Sequence, residues 1–195
     1  MSVKLGNLST VRTGLVISRK KAHLDSREKI EYKQISLRCF DNGVKLDKSK
    51  KEIFTSSERI NAKYITQVGD VVVRLRAPSS AVYIEKEDEG LLIHSLLAVI
   101  RVDSKLINAK YLAYYINSHN AQRILKQDVK GTAIPMLKTK DLEELKIALP
   151  SLEKQNKLVQ FLELADKERE LLIELVHEKE KFSQTILNNT IKEEN

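Results

Sequence analysis

The chain has 195 residues, 42% of them hydrophobic and 31% charged, which allows one full domain plus an appendage and excludes two large domains. Its 34 Lys and Arg outnumber 27 Asp and Glu, but unevenly: residues 1–151 hold 27 basic and 17 acidic residues, while residues 152–195 hold 7 and 10. A body at +10 followed by a stretch at −3 points to a polyanion partner for the body and a different partner for the rest.

From the N-terminus, Met1 to Thr10 contains no apolar h-region, so no export signal is expected. Glu31–Phe40 alternates, with Ile35, Leu37 and Cys39 on one side and Gln34, Ser36 and Arg38 on the other, which predicts a half-buried strand. Asp41, Asn42 and Gly43 then supply turn chemistry. Gly69–Arg76 repeats the pattern: Val71, Val73 and Leu75 fall on a core face, and Val72, Arg74 and Arg76 on a face that ends basic. Ala81–Ile84 and Leu91–Val102 predict further strands around a polar turn at Glu85–Gly90. The stretch Leu91–Ile100 is interrupted by His94 and Ser95 and is too short to span a bilayer.

Asn108 predicts an N-cap for a helix reaching about Lys126, with Tyr111, Leu112, Tyr115 and Ile116 at helical spacing. Lys130, Gly131 and Thr132 follow as a loop, then a short turn at Asp141–Leu145 and an extended piece ending at Pro150. The rest, without Gly or Pro, predicts one long amphipathic helix. The expected fold class is α+β, a mixed sheet-containing body with a helical arm.

Positions 158, 161, 165, 168, 172, 175, 179, 182 and 186 of the arm are spaced alternately three and four apart. Leu158, Phe161, Ala165, Leu172, Leu175, Phe182 and Ile186 make this a coiled-coil seam with defects at Glu168 and Lys179. A helix from Leu152 to Asn188 is about 55 Å long at about 1.5 Å per residue, more than a small body can cover on all sides. The seam therefore needs another helix, and these seven residues are the expected dimer interface; a helix folded back on its own body is the other arrangement the pattern allows.

Several chemistries are not indicated. The six glycines never come close enough for a phosphate-cradling loop, so no nucleotide cofactor is expected. A lone Cys39 cannot form an internal disulfide, and with four scattered histidines it gives no zinc spacing, so no metal is expected and a cytoplasmic setting fits. Asp25, Glu31 and Lys33 superficially suggest a Mg²⁺-dependent nuclease, a pattern common by chance in so charged a chain.

The segment Gly131 to Glu163 resembles the conserved region of type I restriction-modification specificity (S) subunits through Gly131-Thr132, Leu137, Asp141-Leu142, Leu145, Ile147, Pro150, Leu152 and Gln155. Ala148, Ser151 and Lys154 depart from that pattern. Lys4-Leu5-Gly6 with Arg12-Thr13-Gly14, Val68-Gly69-Asp70-Val71, and Tyr111-Leu112 through Asn117-Ser118 resemble the family's opening, a strand start and a helix, in the family's order.

The resemblance implies a DNA target recognition domain over residues 1–150, a dimerisation helix over 151–190 that pairs as an antiparallel coiled coil, and a tail over 191–195. Family members usually carry two such domains and two helices, so the chain resembles a half-sized form. The implied function is that of a non-catalytic specificity subunit. It would form a homodimer on a bipartite palindromic site in double-stranded DNA and recruit methyltransferase (M) and restriction (R) subunits, with no cofactor and no membrane. Arg74 and Arg76, at a strand end before the Ala77–Ser80 loop, are the first candidates for DNA contact. Lys130 and Thr132 join them, flanking Gly131, which lets the backbone approach closely. Arg12, Thr13, Arg19, Lys20 and Arg38 form a second set. A stand-alone coiled-coil DNA-binding regulator and a small nuclease are the alternatives.

Overall fold

The computed structural model describes residues 2–40, 43–127 and 136–193. The elements in chain order are β1 (Ser2–Lys4), β2 (Ser9–Thr13), β3 (Ile30–Gln34), β4 (Glu52–Ser56), β5 (Val71–Arg74), β6 (Ala81–Tyr83), β7 (Leu97–Val102), α1 (Ala109–Asn117), α2 (His119–Gln127), α3 (Thr139–Glu144), β8 (Lys146–Ala148) and α4 (Leu152–Glu193). Short 3-10 turns lie between them, including Ile17–Lys20 and Leu37–Phe40. The fold is α+β, with every strand pair antiparallel. The chain divides into two compact units, Met1–Gln155 and Asn156–Asn195.

In the first unit a four-stranded sheet in the order β2-β7-β5-β6 forms the centre, and β1-β8 and β3-β4 are separate two-stranded ribbons. The valines of β5 explain the central position. Val71, Val72 and Val73 are all fully buried, and since successive side chains point to opposite faces, both faces of the sheet are covered. This corrects the expectation that Gly69–Arg76 has one core and one basic face. The register pairs Val72 with Val99 and Arg74 with Leu97, so Arg74 stands on the same face as Val72, Val99 and Leu97. That face carries a core cluster with Ile35, Cys39, Phe40, Val82 and Ile84.

Glu31–Phe40 also departs from a simple strand. β3 stops at Gln34, the Ile35 N–H turns to the Leu92 carbonyl at 3.1 Å, and Leu37–Phe40 coils into a 3-10 turn. The Ser36 hydroxyl donates to the Lys50 carbonyl at 2.8 Å and accepts from the Arg38 N–H at 3.3 Å, so side-chain bonding replaces the ladder there. Ile35 and Cys39 are buried as the alternation suggests, although a turn rather than a strand places Cys39.

Asn108 caps α1 as expected, accepting from the Lys110 and Tyr111 N–H groups at 2.8 and 3.2 Å. The expected single helix is two, because Ser118 is extended and its hydroxyl bonds the Tyr115 carbonyl at 2.7 Å and accepts from the Ala121 N–H at 3.4 Å. One serine thus ends α1 and starts α2. Gly69 has φ +89°, a conformation that glycine alone adopts cheaply, and it turns the chain into β5.

The second unit is helical. α4 runs 42 residues to Glu193, three residues past the boundary expected at 190, since nothing from Leu152 onward is a helix breaker. Among the described residues no helix is long and apolar enough to cross a membrane.

Candidate nucleic-acid interface

One end of the central sheet gathers several of the candidate residues. There β2 finishes at Thr13, β5 at Arg74, and β7 is entered through His94, Ser95 and Leu96. Backbone bonds fasten these segments together: Gly14 N–H to Leu97 O at 2.9 Å, Leu15 N–H to Ile93 O at 2.8 Å and Leu75 N–H to Leu96 O at 2.9 Å. A Cβ on Gly14 would stand 2.3 Å from the His94 carbonyl oxygen and 2.5 Å from that of Ile93, so only glycine lets the strands approach this closely. Leu137 N–H donates to Leu75 O at 2.9 Å and Met136 bridges Arg76, so the segment leading into α3 joins the same edge.

Beside this edge lies a cleft of about 390 Å³. Ile17 from the turn carrying Arg19 and Lys20 lines it, as do Ser36, Leu37 and Arg38, the pair Gln34 and Glu52, and the residues His94, Ser95 and Leu96. Gln34 and Glu52 are cross-strand partners on β3 and β4. The Gln34 amide donates to Glu52 Oε2 at 3.3 Å and Arg38 Nη2 donates to Glu52 Oε1 at 2.9 Å. Gln34 is buried, and among the described residues its Oε1 has no hydrogen-bond partner. His94 Nδ1 accepts from the Leu96 N–H at 3.2 Å, which puts the ring proton on Nε2. Burial pushes the His94 imidazole below its ordinary pKa, opposed by the negative charge of Glu52.

A second groove, of about 490 Å³, is lined by Val11, Arg12, Thr13, Lys63, Tyr64 and Thr139. Lys63 Nζ lies 5.0 Å from the centre of the Tyr64 ring. Two cations and an aromatic ring lining one groove suit a phosphate backbone better than an apolar ligand.

The candidate residues differ in availability. Arg12, Thr13, Arg19 and Arg76 are exposed, and among the described residues Arg12, Arg19 and Arg76 form no ion pair. Lys20 is held by Glu58, and Arg38 by Glu52. Arg74 is half-buried, its Nε without a partner among the described residues, so it belongs partly to the core face described above. Lys130, Gly131 and Thr132 lie outside the described residues. Gln34 and Glu52 meet through strand pairing and Lys63 and Tyr64 come from a 3-10 turn at Ala62–Tyr64, so no periodicity marks any of the four as a site residue. Asp25 and Glu31 are exposed, and among the described residues no three His, Cys, Asp or Glu side chains come together as metal ligands.

Residues 1–177 match the family described as "Type I restriction modification DNA specificity domain". The chain belongs to this family. No curated protein matches it. Solved structures with the same fold include the HsdS subunit from Thermoanaerobacter tengcongensis, 17% identical with a TM-score of 0.66 over 88% of this chain. A structure described as showing complex assembly and conformational transition of the type I R-M system is 19% identical at 0.62 over 88%. The type I restriction-modification S subunit from M. genitalium is 16% identical at 0.58 over 91%. The chain spans about two fifths of each, at 43%, 39% and 41% of their lengths.

The specificity-domain residues recognised in the sequence have structural work here. Asp70, buried, accepts from Arg101 Nε at 2.9 Å and Nη2 at 3.2 Å and from the Gln67 N–H at 2.9 Å. Tyr111 donates to the Ala148 carbonyl at 2.7 Å, tying α1 to β8. Gln155, fully buried, accepts from the Asn108 N–H and donates to the Leu106 and Pro150 carbonyls. These bonds brace the body on which the exposed arginines are displayed.

Proposed function

We propose that this chain is a specificity subunit of a type I restriction-modification system that reads DNA through residues 1–150 and pairs through residues 151–190. The family match, running without interruption from the basic body into the long helix, is the observation that carries this reading. The candidate DNA contacts are Arg12, Thr13, Arg19, Lys20, Arg38, Arg74, Arg76, Lys130, Gly131 and Thr132. Exposed Arg12, Arg19 and Arg76, without ion pairs among the described residues, suit phosphate contact, which gives affinity that falls as salt rises. Sequence is read by a smaller set against base edges.

The helix supports pairing with a second copy. Leu158, Phe161, Leu172, Leu175, Phe182 and Ile186 are all large apolar side chains left exposed along α4. Leu164, Leu171, Ile173, Val176 and Leu187 are exposed as well, so the apolar arc is wider than a strict two-in-seven seam. Two copies in an antiparallel pair give two-fold symmetry, and two-fold symmetry calls for an inverted repeat in the DNA. The dimer then docks M and R subunits, which supply the catalysis.

The test is to express the chain with its cognate M subunit and map methylated positions in cellular DNA. The expected result is one bipartite site with inverted half-sites. Methylation at sites that do not change when the chain is removed would overturn the reading.

A further inference from the structure

We propose that Arg38 and Glu52 act together as the reader of one G·C base pair. This rests on the DNA-recognition reading and adds residues and a base to it. The observation behind it is a carboxylate bonded to an exposed arginine in the cleft beside the strand ends. Glu52 lines the same cleft as Arg38, His94 and Leu96, and its side chain is 43% exposed. A carboxylate has no use for a phosphate, which offers it only repulsion. It can only accept, and the donors on base edges in the major groove are the amino groups of cytosine and adenine.

Glu52 is held in place for such a contact. β3 and β4 pair it with Gln34, whose buried amide grips one oxygen at 3.3 Å, while Arg38 grips the other at 2.9 Å. A carboxylate has about four lone-pair sites, so acceptor capacity remains after both bonds. The Arg38 side chain is 72% exposed and spends one Nη2 bond on Glu52, leaving further donors of its planar fork.

The order of groups selects the pair. Across the major groove a G·C pair presents acceptor, acceptor and donor in sequence: guanine N7, guanine O6 and cytosine N4. Arg38 beside Glu52 presents donor, donor and acceptor, the complement. An A·T pair presents acceptor, donor and acceptor, which sets the adenine amino group against the guanidinium and the thymine oxygen against the carboxylate.

The experiment is selection from a randomised duplex DNA library by the full chain bound to its cognate M subunit, with the recovered pools sequenced. The wild-type pool is expected to fix a G·C pair at one position. Glu52→Gln should reduce discrimination at that position about tenfold, while affinity for unselected duplex is unchanged or rises because one negative charge has gone. Arg38→Lys keeps the charge but loses the fork, and should relax the same position with the salt dependence intact. A merely structural ion pair gives a different outcome, in which both variants weaken all positions alike and melt at lower temperature; that result sinks the inference. Variant pools identical to the wild type sink it too. If the wild type enriches no sequence at all, the DNA-recognition reading itself fails, which separates the two failures.

Discussion

The backbone N–H of Asn108 donates to Gln155 Oε1 at 2.8 Å while the Asn108 side chain caps α1, so one residue joins the start of α1 to the first turn of α4. Gln155 completes the joint by donating to Pro150 O at 2.9 Å and Leu106 O at 3.3 Å. Replacing it with leucine removes the group that the Asn108 N–H and the Pro150 and Leu106 carbonyls bond, at a side chain that is itself fully buried. Gln155→Leu should lower unfolding free energy by about 2 kcal/mol, in line with the cost of stranding buried polar groups. Urea unfolding of the variant measures this, and a loss under about 0.5 kcal/mol, the size of an ordinary surface change, would show that water replaces the amide.

The Asp70–Arg101 pair yields an asymmetric prediction. Asp70 is buried and receives both Arg101 bonds and the Gln67 N–H, whereas Arg101 keeps about a quarter of its side chain exposed. Asp70→Asn strands a guanidinium inside the body and should cost about 3 kcal/mol. Replacing both partners together, Asp70→Asn with Arg101→Met, should recover part of that loss, because no charge is then left unpaired. A double variant less stable than either single one contradicts this account.

His94 gives the pH dependence. Its folded pKa lies below the ordinary 6.5 because burial disfavours the charged ring, with Glu52 pulling the other way. The unfolded chain therefore takes up the proton first, so the contribution is complete above about 6.5 and is lost as pH falls from there through the folded value. Protonation also removes the Nδ1 lone pair that accepts the Leu96 N–H. Denaturation midpoints across this window should decline with falling pH in the wild type and decline less in His94→Asn. In Glu52→Gln the His94 ring, followed by proton NMR, should titrate lower still.

What could be read from the sequence follows the range of the forces. Asn108 as a cap and the helix from Leu152 depend on neighbours a few residues away, and both are where local pattern puts them. Val72 and Arg74 misled because alternation reports one covered face only when the other is wet, and here both are covered. Ser118 divides a helix that apolar spacing alone draws as continuous. Glu52 and Gln34 are 18 residues apart and meet only through the β3-β4 register, so no periodicity marks them as a pair. Gly14 stood out within a family motif, but its reason, two carbonyls too near for any Cβ, exists only in three dimensions.

On the proposed pairing, Leu172 and Phe182, 56% and 66% exposed on the single chain, lie in the seam between two copies. Burying each is worth about 1.5 to 3 kcal/mol, so Leu172→Asp with Phe182→Asp should weaken the dimer by at least about a hundredfold. Sedimentation should show a wild-type dimer at micromolar concentration and a variant monomer with unchanged circular dichroism from the body. If the recognition domains sit at opposite ends of an antiparallel pair, the helices set the distance between half-sites. Inserting one whole heptad beside Lys179 keeps the seam in register and lengthens the rod by about 10 Å. At about 3.4 Å per base pair this is about 3 base pairs of added spacer. The mapped methylation sites of the insertion variant should keep the same half-sites with that longer spacer. An unchanged spacer with methylation still present, or a wild-type site that is continuous or lacks inverted symmetry, would exclude the helix pair as the element that sets the distance.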